Sequence, residues 1–237
     1  GREMADDPAL MIFAAGFGSR MGKLGHDKPK PLIEVGGFPL LEYALRLAKG
    51  VNLSSITVNA HYKHETLRTY LRNRSVIVLS ELPTILETGG GLKAALPLLG
   101  PAPLMTLNSD VIWLGCNPLA LLQSAWNPKI MDALLMCVAL ENTTGRNGCG
   151  DFTLNHDGTL QRGGSSIYAG AQFIKTNRLA DISEKAFSIN MLWDILFECK
   201  KVYGISYDGD WCDVGTSAGI AAAERKLEQA FPKHIIP

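Results

Sequence analysis

Polyphosphate chemistry needs cations held close to flexible backbone and hard acids for a divalent ion, and this sequence offers both. Ala14-Ala15-Gly16-Phe17-Gly18-Ser19-Arg20-Met21 follows a short apolar run, Leu10 to Ala14. Glycines at alternate positions let a chain turn sharply and bring N–H groups against an anion. Arg20 adds a planar fork of donors for phosphate oxygens. Further on, Lys28-Pro29-Lys30-Pro31-Leu32 sets Lys30 between two prolines. Their rings stiffen the backbone, so the ammonium is a fixed point charge. Taken alone, the glycine stretch is equally a plain turn with solvated cations. It is neither of two known phosphate loops. No G-x-x-x-x-G-K-[ST] is present, and Met21 stands at the third glycine position of G-x-G-x-x-G.

Three later segments add candidates. Glu87-Thr88-Gly89-Gly90-Gly91 runs into Leu92-Lys93-Ala94-Ala95-Leu96-Pro97, three glycines feeding a helix. Unhindered backbone with free N–H groups at a helix start can approach a flat base; a flexible lead-in is the plain alternative. Leu107-Asn108-Ser109-Asp110 closes another apolar run. Ligands of open parallel sheets bind beyond the carboxyl ends of strands. An aspartate placed there can hold Mg²⁺, which prefers hard oxygen ligands and keeps several waters, although an ordinary turn also uses one. Asp208-Gly209-Asp210-Trp211-Cys212-Asp213-Val214-Gly215-Thr216 carries three acids and, by itself, reads as a solvated turn before a helix.

The elements that position these residues follow from hydrophobic pattern. Leu10–Ala14, Ser55–Asn59, Val76–Leu79 and Pro103–Leu107 read as strands. Leu40, Leu41, Ala44, Leu45 and Ala48, with Gly50 behind them, read as a helix, as do Glu65–Leu71 and Gly91–Leu98. This alternation suits βαβ units and predicts a parallel sheet with helices on both faces. In the second half, Ala133–Leu140 reads as a central strand, and Gly150–Leu154, Leu160–Arg162 and Ile167–Ile174 as a mixed-sheet extension. Ile189–Cys199, Val202–Tyr207 and Ser217–Phe231 read as helix, strand and closing helix. Residues 1–9 are read as a tail or expression remnant, and 10–233 as a single domain with a first half to residue 115 and a second from 116.

Composition narrows the function classes. The 237 residues carry 23 basic and 23 acidic side chains, for zero net charge, which disfavours a sequence-independent nucleic-acid binder. The five cysteines, 116, 137, 149, 199 and 212, form no C-x-x-C pair and suit free thiols in a reducing cytoplasm. No apolar run reaches the roughly 18 residues of a membrane span. His61 and His64 lack a third ligand in view, and Trp113, Trp126 and Trp193 read as packing groups. No Gly-x-Ser-x-Gly elbow is present.

The glycine–arginine stretch, Pro29-Lys30-Pro31-Leu32, Val35-Gly36-Gly37-Phe38-Pro39-Leu40-Leu41, the Ser109-Asp110 pair and Trp211-Cys212-Asp213-Val214-Gly215-Thr216 together resemble the signature of the sugar-1-phosphate nucleotidyltransferases. The likeness spans Leu10 to about Phe231. It implies a Rossmann-like α/β fold of the glycosyltransferase-A type: an open, mixed, mainly parallel sheet flanked by helices, with a small sugar-binding β extension. It implies that Arg20 and Lys30 contact phosphates as the catalytic cations. Ala14, Ala15, Gly16 and Gly18 would wrap the triphosphate, and Glu87, Thr88, Gly89 and Gly90 would meet the base. Asp110 and Asp213 would hold Mg²⁺. Gly150, Asp151, Tyr168 and Gly170 would face the sugar. Two departures stand out: Lys28, where relatives often carry threonine, and Tyr168, where they often carry asparagine.

The implied reaction takes a nucleoside triphosphate and a sugar 1-phosphate, in the cytoplasm, as a monomer or small homo-oligomer, with no nucleic acid or membrane partner. The Glu-Thr-Gly-Gly-Gly form is most similar to the branch that uridylylates N-acetylmuramate 1-phosphate. Rivals are the same chemistry on another sugar 1-phosphate or on phosphocholine, a non-catalytic nucleotide-sugar sensor, and an NAD-dependent oxidoreductase.

Overall fold

Alternate residues of the first strand serve two different cores: Leu10 and Ile12 join one buried cluster, Ala9 and Met11 the other. The same period of two recurs in Ala133–Ala139, where Leu134, Met136 and Val138 oppose Ala133, Leu135 and Cys137. Such strands belong inside a sheet covered on both faces. The computed structural model describes residues 6–15, 28–61 and 63–230.

In chain order the strands are β1 (Ala9–Phe13), β2 (Glu34–Val35), β3 (Phe38–Pro39), β4 (Ser55–Ala60), β5 (Ile77–Ser80), β6 (Leu104–Asn108), β7 (Val111–Leu114), β8 (Ala133–Ala139), β9 (Thr143–Thr144), β10 (Phe152–Leu154), β11 (Leu160–Arg162), β12 (Ser166–Ile174), β13 (Val202–Ser206) and β14 (Asp210–Asp213). The helices are α1 (Leu40–Lys49), α2 (His64–Leu71), α3 (Glu87–Leu99), α4 (Pro118–Ala125), α5 (Asn190–Glu198) and α6 (Ser217–Ala230). The main sheet runs β11-β10-β12-β6-β1-β4-β5, with β8 pairing β12 and β13. The β6-β1-β4-β5 block is parallel. β12 runs antiparallel to both β6 and β8 and so joins the two halves of the chain in one mixed sheet.

Helices α1, α2 and α4 cover one face through Leu41, Ala44, Leu45, Leu67, Leu71, Leu119 and Leu122. Helices α3 and α5 cover the other through Leu92, Ala95, Leu99, Leu192, Trp193 and Leu196. Helix α1 shows how local sequence produces this. Its apolar residues recur at helical spacing on one stripe, and it stops at Gly50, whose N–H reaches back to Leu47 O at 3.1 Å. Glu42, on its polar side, takes Arg74 and Tyr70, and the Arg74 contact holds its carboxyl below the usual range. All five cysteines are free; burial pushes the Cys137 thiol up to about 12 and Cys212 up to about 11. Among the described residues no helix is long and apolar enough to cross a membrane.

The structure departs from the sequence reading in two places near the cleft. Residues 210–213, read as a solvated turn, form β14, antiparallel to β7 and parallel to β9 in a second, small sheet. Trp211 and Cys212 are both buried there, so the acids bracket a strand. The second departure is α3, which starts at Glu87 and takes Gly89, Gly90 and Gly91 into its interior. Burial of all three against neighbouring chain offsets their poor helix propensity.

Candidate active site

Three adjoining cavities, of about 410, 160 and 240 Å³, open around the carboxyl ends of β1 and β6. Asn108, the last residue of β6, lines all three. This is where an open α/β sheet leaves a crevice for ligands.

Lys30 opens a short 3₁₀ turn, Lys30–Leu32, between its two prolines. Pro31 and Leu32 are buried, which anchors the turn and leaves the lysine stem directed outward. Its Nζ lies 3.0 Å from Asp110 Oδ2, with the two side chains 18% and 31% exposed. Asp110 is fixed from both sides. Ser109 Oγ donates to Phe13 O at 2.7 Å, and Val214 N–H donates to Asp110 O at 3.0 Å. That second bond brings Asp213 next to it, since Asp213 pairs with Val111 across β14 and β7. Asp213 Oδ1 accepts the Gly215 N–H at 2.8 Å. Gly145 and Gly219 both crowd the Asp213 carbonyl; a Cβ on Gly145 would lie 2.5 Å from that oxygen. Backbone contacts thus bring Asp110 and Asp213 together, and a side-chain ion pair adds Lys30. Arg20, Gly16 and Gly18 lie outside the described residues.

The wall on the β4 side is a polar network that no sequence motif announced. Ala14 and Ala15 each donate an N–H to Asn59 Oδ1, at 2.6 and 3.0 Å. Asn59 Nδ2 donates to Glu81 Oε1 at 2.8 Å, and Glu81 Oε2 accepts Leu86 N–H at 3.1 Å. Asn59 is 2% and Glu81 3% exposed. One buried amide and one buried carboxylate thus tie the root of the glycine–arginine stretch to the start of α3. Both stand at the carboxyl ends of parallel strands, the rule that singled out Asp110, and that signal would have found them.

The same geometry revises the expected use of the first loop and of the glycines. The N–H groups of Ala14 and Ala15 are committed to Asn59. Gly90 N–H donates to Phe187 O at 3.0 Å. A Cβ on Gly89 would lie 2.9 Å from Ser188 O and overlap the Phe187 ring; one on Gly91 would lie 2.6 Å from Glu81 Oε1. The glycines let α3 pack against residues 185–189 and against Glu81. Of the segment 87–90, Thr88 lines two of the cavities, while Glu87 is exposed in a left-handed conformation (φ 60°) and accompanies neither.

On the far side of Asn108, Asp151 and Tyr168 line the 240 Å³ cavity with Arg146, Gln172, Ser188, Asn190 and Trp193. Asp151 Oδ2 accepts Tyr168 N–H at 2.9 Å. Burial pushes the Tyr168 phenol up; its hydroxyl is closed off from solvent beside Thr106, with no hydrogen bond of ordinary geometry among the described residues. Gly150 and Gly170 line none of the three cavities. Gly150 sits against Gly164, and Gly170 adopts φ +102° in the irregular part of β12, where a Cβ would press on Asn108. Trp193, read as a packing group, packs edge-on against Tyr168 and also lines the cavity. Arg146, which lines two cavities, escaped the sequence reading; its signal was a lone arginine flanked by Gly145 and Gly148.

A divalent ion fits this donor set. Asp110 and Asp213 put two carboxylates on one 410 Å³ cavity. Among the described residues no group of three or more His, Cys, Asp or Glu is assembled. One or two carboxylates, several waters and substrate phosphates are what Mg²⁺ takes, in contrast to a dedicated protein cage.

A parallel-sheet crevice with a lysine and two aspartates at its mouth is the arrangement of a nucleotide-handling enzyme, and residues 10–143 match the MobA-like NTP transferase domain. Over 96% of its length the chain is 33% identical to all of the N-acetylmuramate alpha-1-phosphate uridylyltransferase of Caulobacter vibrioides. It is 32% identical, over 90% of its length and 96% of the relative, to the Neisseria meningitidis protein of the same name. A mannose-1-phosphate guanyltransferase of Pichia angusta is 27% identical over 86% of this chain and 60% of its own. In fold, the chain superposes on a putative glucose-1-phosphate thymidylyltransferase from Bacillus anthracis with TM-score 0.78, over 92% of this chain and 94% of that one at 15% identity. The chain belongs to the sugar-1-phosphate nucleotidyltransferase family, and it is an enzyme of that class.

Proposed function

We propose that this enzyme condenses UTP with N-acetylmuramate 1-phosphate, giving a uridine diphosphate sugar and pyrophosphate. The observation that carries the chemistry is the meeting of Lys30 with Asp110 at 3.0 Å on a cavity rim shared with Asp213. The choice of substrates rests on similarity to the two uridylyltransferases along almost the whole chain. On this reading the protein acts as a single unit in the cytoplasm, alone or as a small homo-oligomer, in salvage of cell-wall sugar.

A phosphate oxygen of the sugar 1-phosphate attacks the α-phosphorus of UTP. A new P–O bond forms, the α–β P–O bond breaks, and pyrophosphate leaves with its electron pair. The nucleophile is already ionised near neutral pH, so no general base is required. The obstacle is repulsion between two anions. Lys30 brings a fixed positive charge to the phosphates, and Arg20 is its companion from the glycine–arginine stretch. Asp110 orients Lys30 and, with Asp213, would hold Mg²⁺. That ion neutralises phosphate charge when bound. On this reading Thr88, which lines two of the cavities, serves the nucleoside, and Asp151 and Tyr168, on the 240 Å³ cavity, serve the sugar. Holding the reactants in line converts an encounter of two solutes into a nearly unimolecular step.

The mannose-1-phosphate guanyltransferase likeness keeps other pairs in view. The deciding experiment is a matrix of four nucleoside triphosphates against several sugar 1-phosphates and phosphocholine, followed by pyrophosphate release. Highest kcat/KM for UTP with N-acetylmuramate 1-phosphate is expected. Preference for GTP and mannose 1-phosphate would overturn the substrate assignment, and nucleotide binding without pyrophosphate release would point to a sensor.

A further inference from the structure

Among the described residues two cations line these three cavities, Lys30 and Arg146, and they differ in how they are held. Lys30 is engaged by Asp110. Arg146 has Asp151 as its ion-pair partner at 3.9 Å, beyond hydrogen-bonding reach, with the arginine side chain 28% exposed. The nearer Asp151 oxygen is already accepting the Tyr168 N–H. The chain carrying Arg146 is not slack. Thr143 and Thr144 pair with Trp211 and Cys212, and Gly145 packs on the Asp213 carbonyl. A guanidinium with five donors, fixed in a partly enclosed cavity and hydrogen-bonded to none of the described residues, is built to receive an anion.

The surroundings favour one anion. Arg146 lines the 240 Å³ cavity with one acid, Asp151, whose Oδ2 already accepts the Tyr168 N–H; the other walls are apolar (Phe13, Ile189, Trp193) or neutral and polar (Thr88, Asn108, Ser188, Asn190), and Arg146 is the one cation among the described lining residues. Gln172 carries no charge, and one of its Nε2–H groups donates to Thr106 Oγ1 at 3.1 Å while its Oε1 accepts from Trp193 Nε1 at 2.9 Å. The reacting 1-phosphate belongs beside Lys30, Asp110 and Asp213. A second acid group on the sugar would fall to Arg146.

We propose that Arg146 is a specificity residue that pairs with a carboxylate borne by the sugar ring. The acceptor class is therefore an acidic sugar 1-phosphate, of which muramate, with its lactyl ether, is one. This rests on the reading that the acceptor is a sugar 1-phosphate. A planar fork meets a carboxylate through two parallel hydrogen bonds, which a neutral sugar forgoes.

The test compares the parent with Arg146→Gln and Arg146→Lys on two matched pairs: N-acetylmuramate with N-acetylglucosamine 1-phosphate, and glucuronate with glucose 1-phosphate. A neutral partner too slow to follow is measured as an inhibitor of the acidic one. Arg146→Gln is expected to lower kcat/KM for the acidic member of each pair on the order of 10–100-fold and to leave the neutral member within about threefold. Arg146→Lys should fall between, with an unchanged melting temperature as the check on folding. Equal losses within a pair mean that Arg146 serves the shared phosphate, and no loss means that it serves neither; both overturn the proposal. A parent that prefers the neutral members removes both the acidic-sugar class and the muramate assignment. A parent that prefers muramate while Arg146→Gln weakens both members alike removes the Arg146 role only.

Discussion

The two walls of the cleft are finished to different degrees. On the β4 side the groups that reach the cleft are paired: Ala14 and Ala15 N–H on Asn59, Asn59 on Glu81, Glu81 on Leu86 N–H, with only the Thr57 hydroxyl, further back on β4, unpartnered among the described residues. On the β12 side the Tyr168 hydroxyl is buried beside Thr106 with no hydrogen bond of ordinary geometry among the described residues, and Arg146 stands 3.9 Å from its counter-ion. A buried polar group costs least when its partners come with the fold. The first wall is thus a scaffold whose shape is set before substrate arrives. The second wall keeps a guanidinium whose complement must come from outside. A nucleoside triphosphate offers a large, fixed set of charges for which a rigid cradle suits; sugars differ in a few substituents, and discrimination among them requires groups that only the right one satisfies.

Lys30→Ala probes the charge between the walls and carries the largest expected effect. Loss of one charged group that stabilises the transition state lowers turnover by on the order of 10²–10³, with the fold kept, since among the described residues Lys30 Nζ supports only Asp110. Near-parent turnover, with an unchanged melting temperature, would remove Lys30 from the chemistry. The finished wall should respond in the opposite currency. Asn59→Ala strands two backbone N–H groups and a carboxylate 3% exposed. A loss of about 3 kcal/mol in denaturant unfolding is expected, along with a KM that rises more for the triphosphate than for the sugar 1-phosphate. Equal rises would mean that the network supports the whole sheet and not one wall.

Asp110→Asn and Asp213→Asn sharpen the boundary. Each keeps the shape and removes one negative charge from the 410 Å³ cavity. The magnesium concentration for half-maximal rate should move up on the order of tenfold, about 1.4 kcal/mol. Parent-like magnesium titrations in both variants would relocate the metal. The Asp110 variant has a second effect to read, because it also weakens the contact that orients Lys30.

What the sequence discloses differs between the walls as well. The Leu-Asn-Ser-Asp and Trp-x-Asp-Val-Gly-Thr segments are short and contiguous, and each carries its function on one residue, so Asp110 and Asp213 are legible and the structure brings them to one cavity. The strands and helices of residues 10–108 are legible for a similar reason: their periodicity is local. Asn59 and Glu81 are 22 residues apart and meaningful only as a pair, and pairing is set by strand order, which hydrophobic pattern does not give. The three glycines mislead for the converse reason. Composition marks them as mobile, whereas their lack of side chains is what lets Phe187 and Glu81 reach α3. β14 is hidden because acids at both ends of a four-residue strand mask a buried Trp211-Cys212 centre.

The smallest expected effect tests the unfinished wall most directly. Tyr168→Phe removes one oxygen and leaves the ring in its edge-on contact with Trp193 at 4.8 Å. In a wall complete by itself, losing that hydroxyl would abandon a partner and destabilise the fold. Here the hydroxyl lies beside Thr106 without a bond of ordinary geometry among the described residues, so the folded state sheds a desolvated polar group and loses little. Unfolding free energy should hold or rise by up to about 1 kcal/mol. The KM for the sugar 1-phosphate should rise by no more than about twofold, since the hydroxyl is closed off from the cavity in the free protein, while the KM for the triphosphate stays put. Stability that falls by about 2 kcal/mol with both KM values unchanged would show the hydroxyl to be satisfied from within, and the contrast between the two walls would then rest on Arg146 alone.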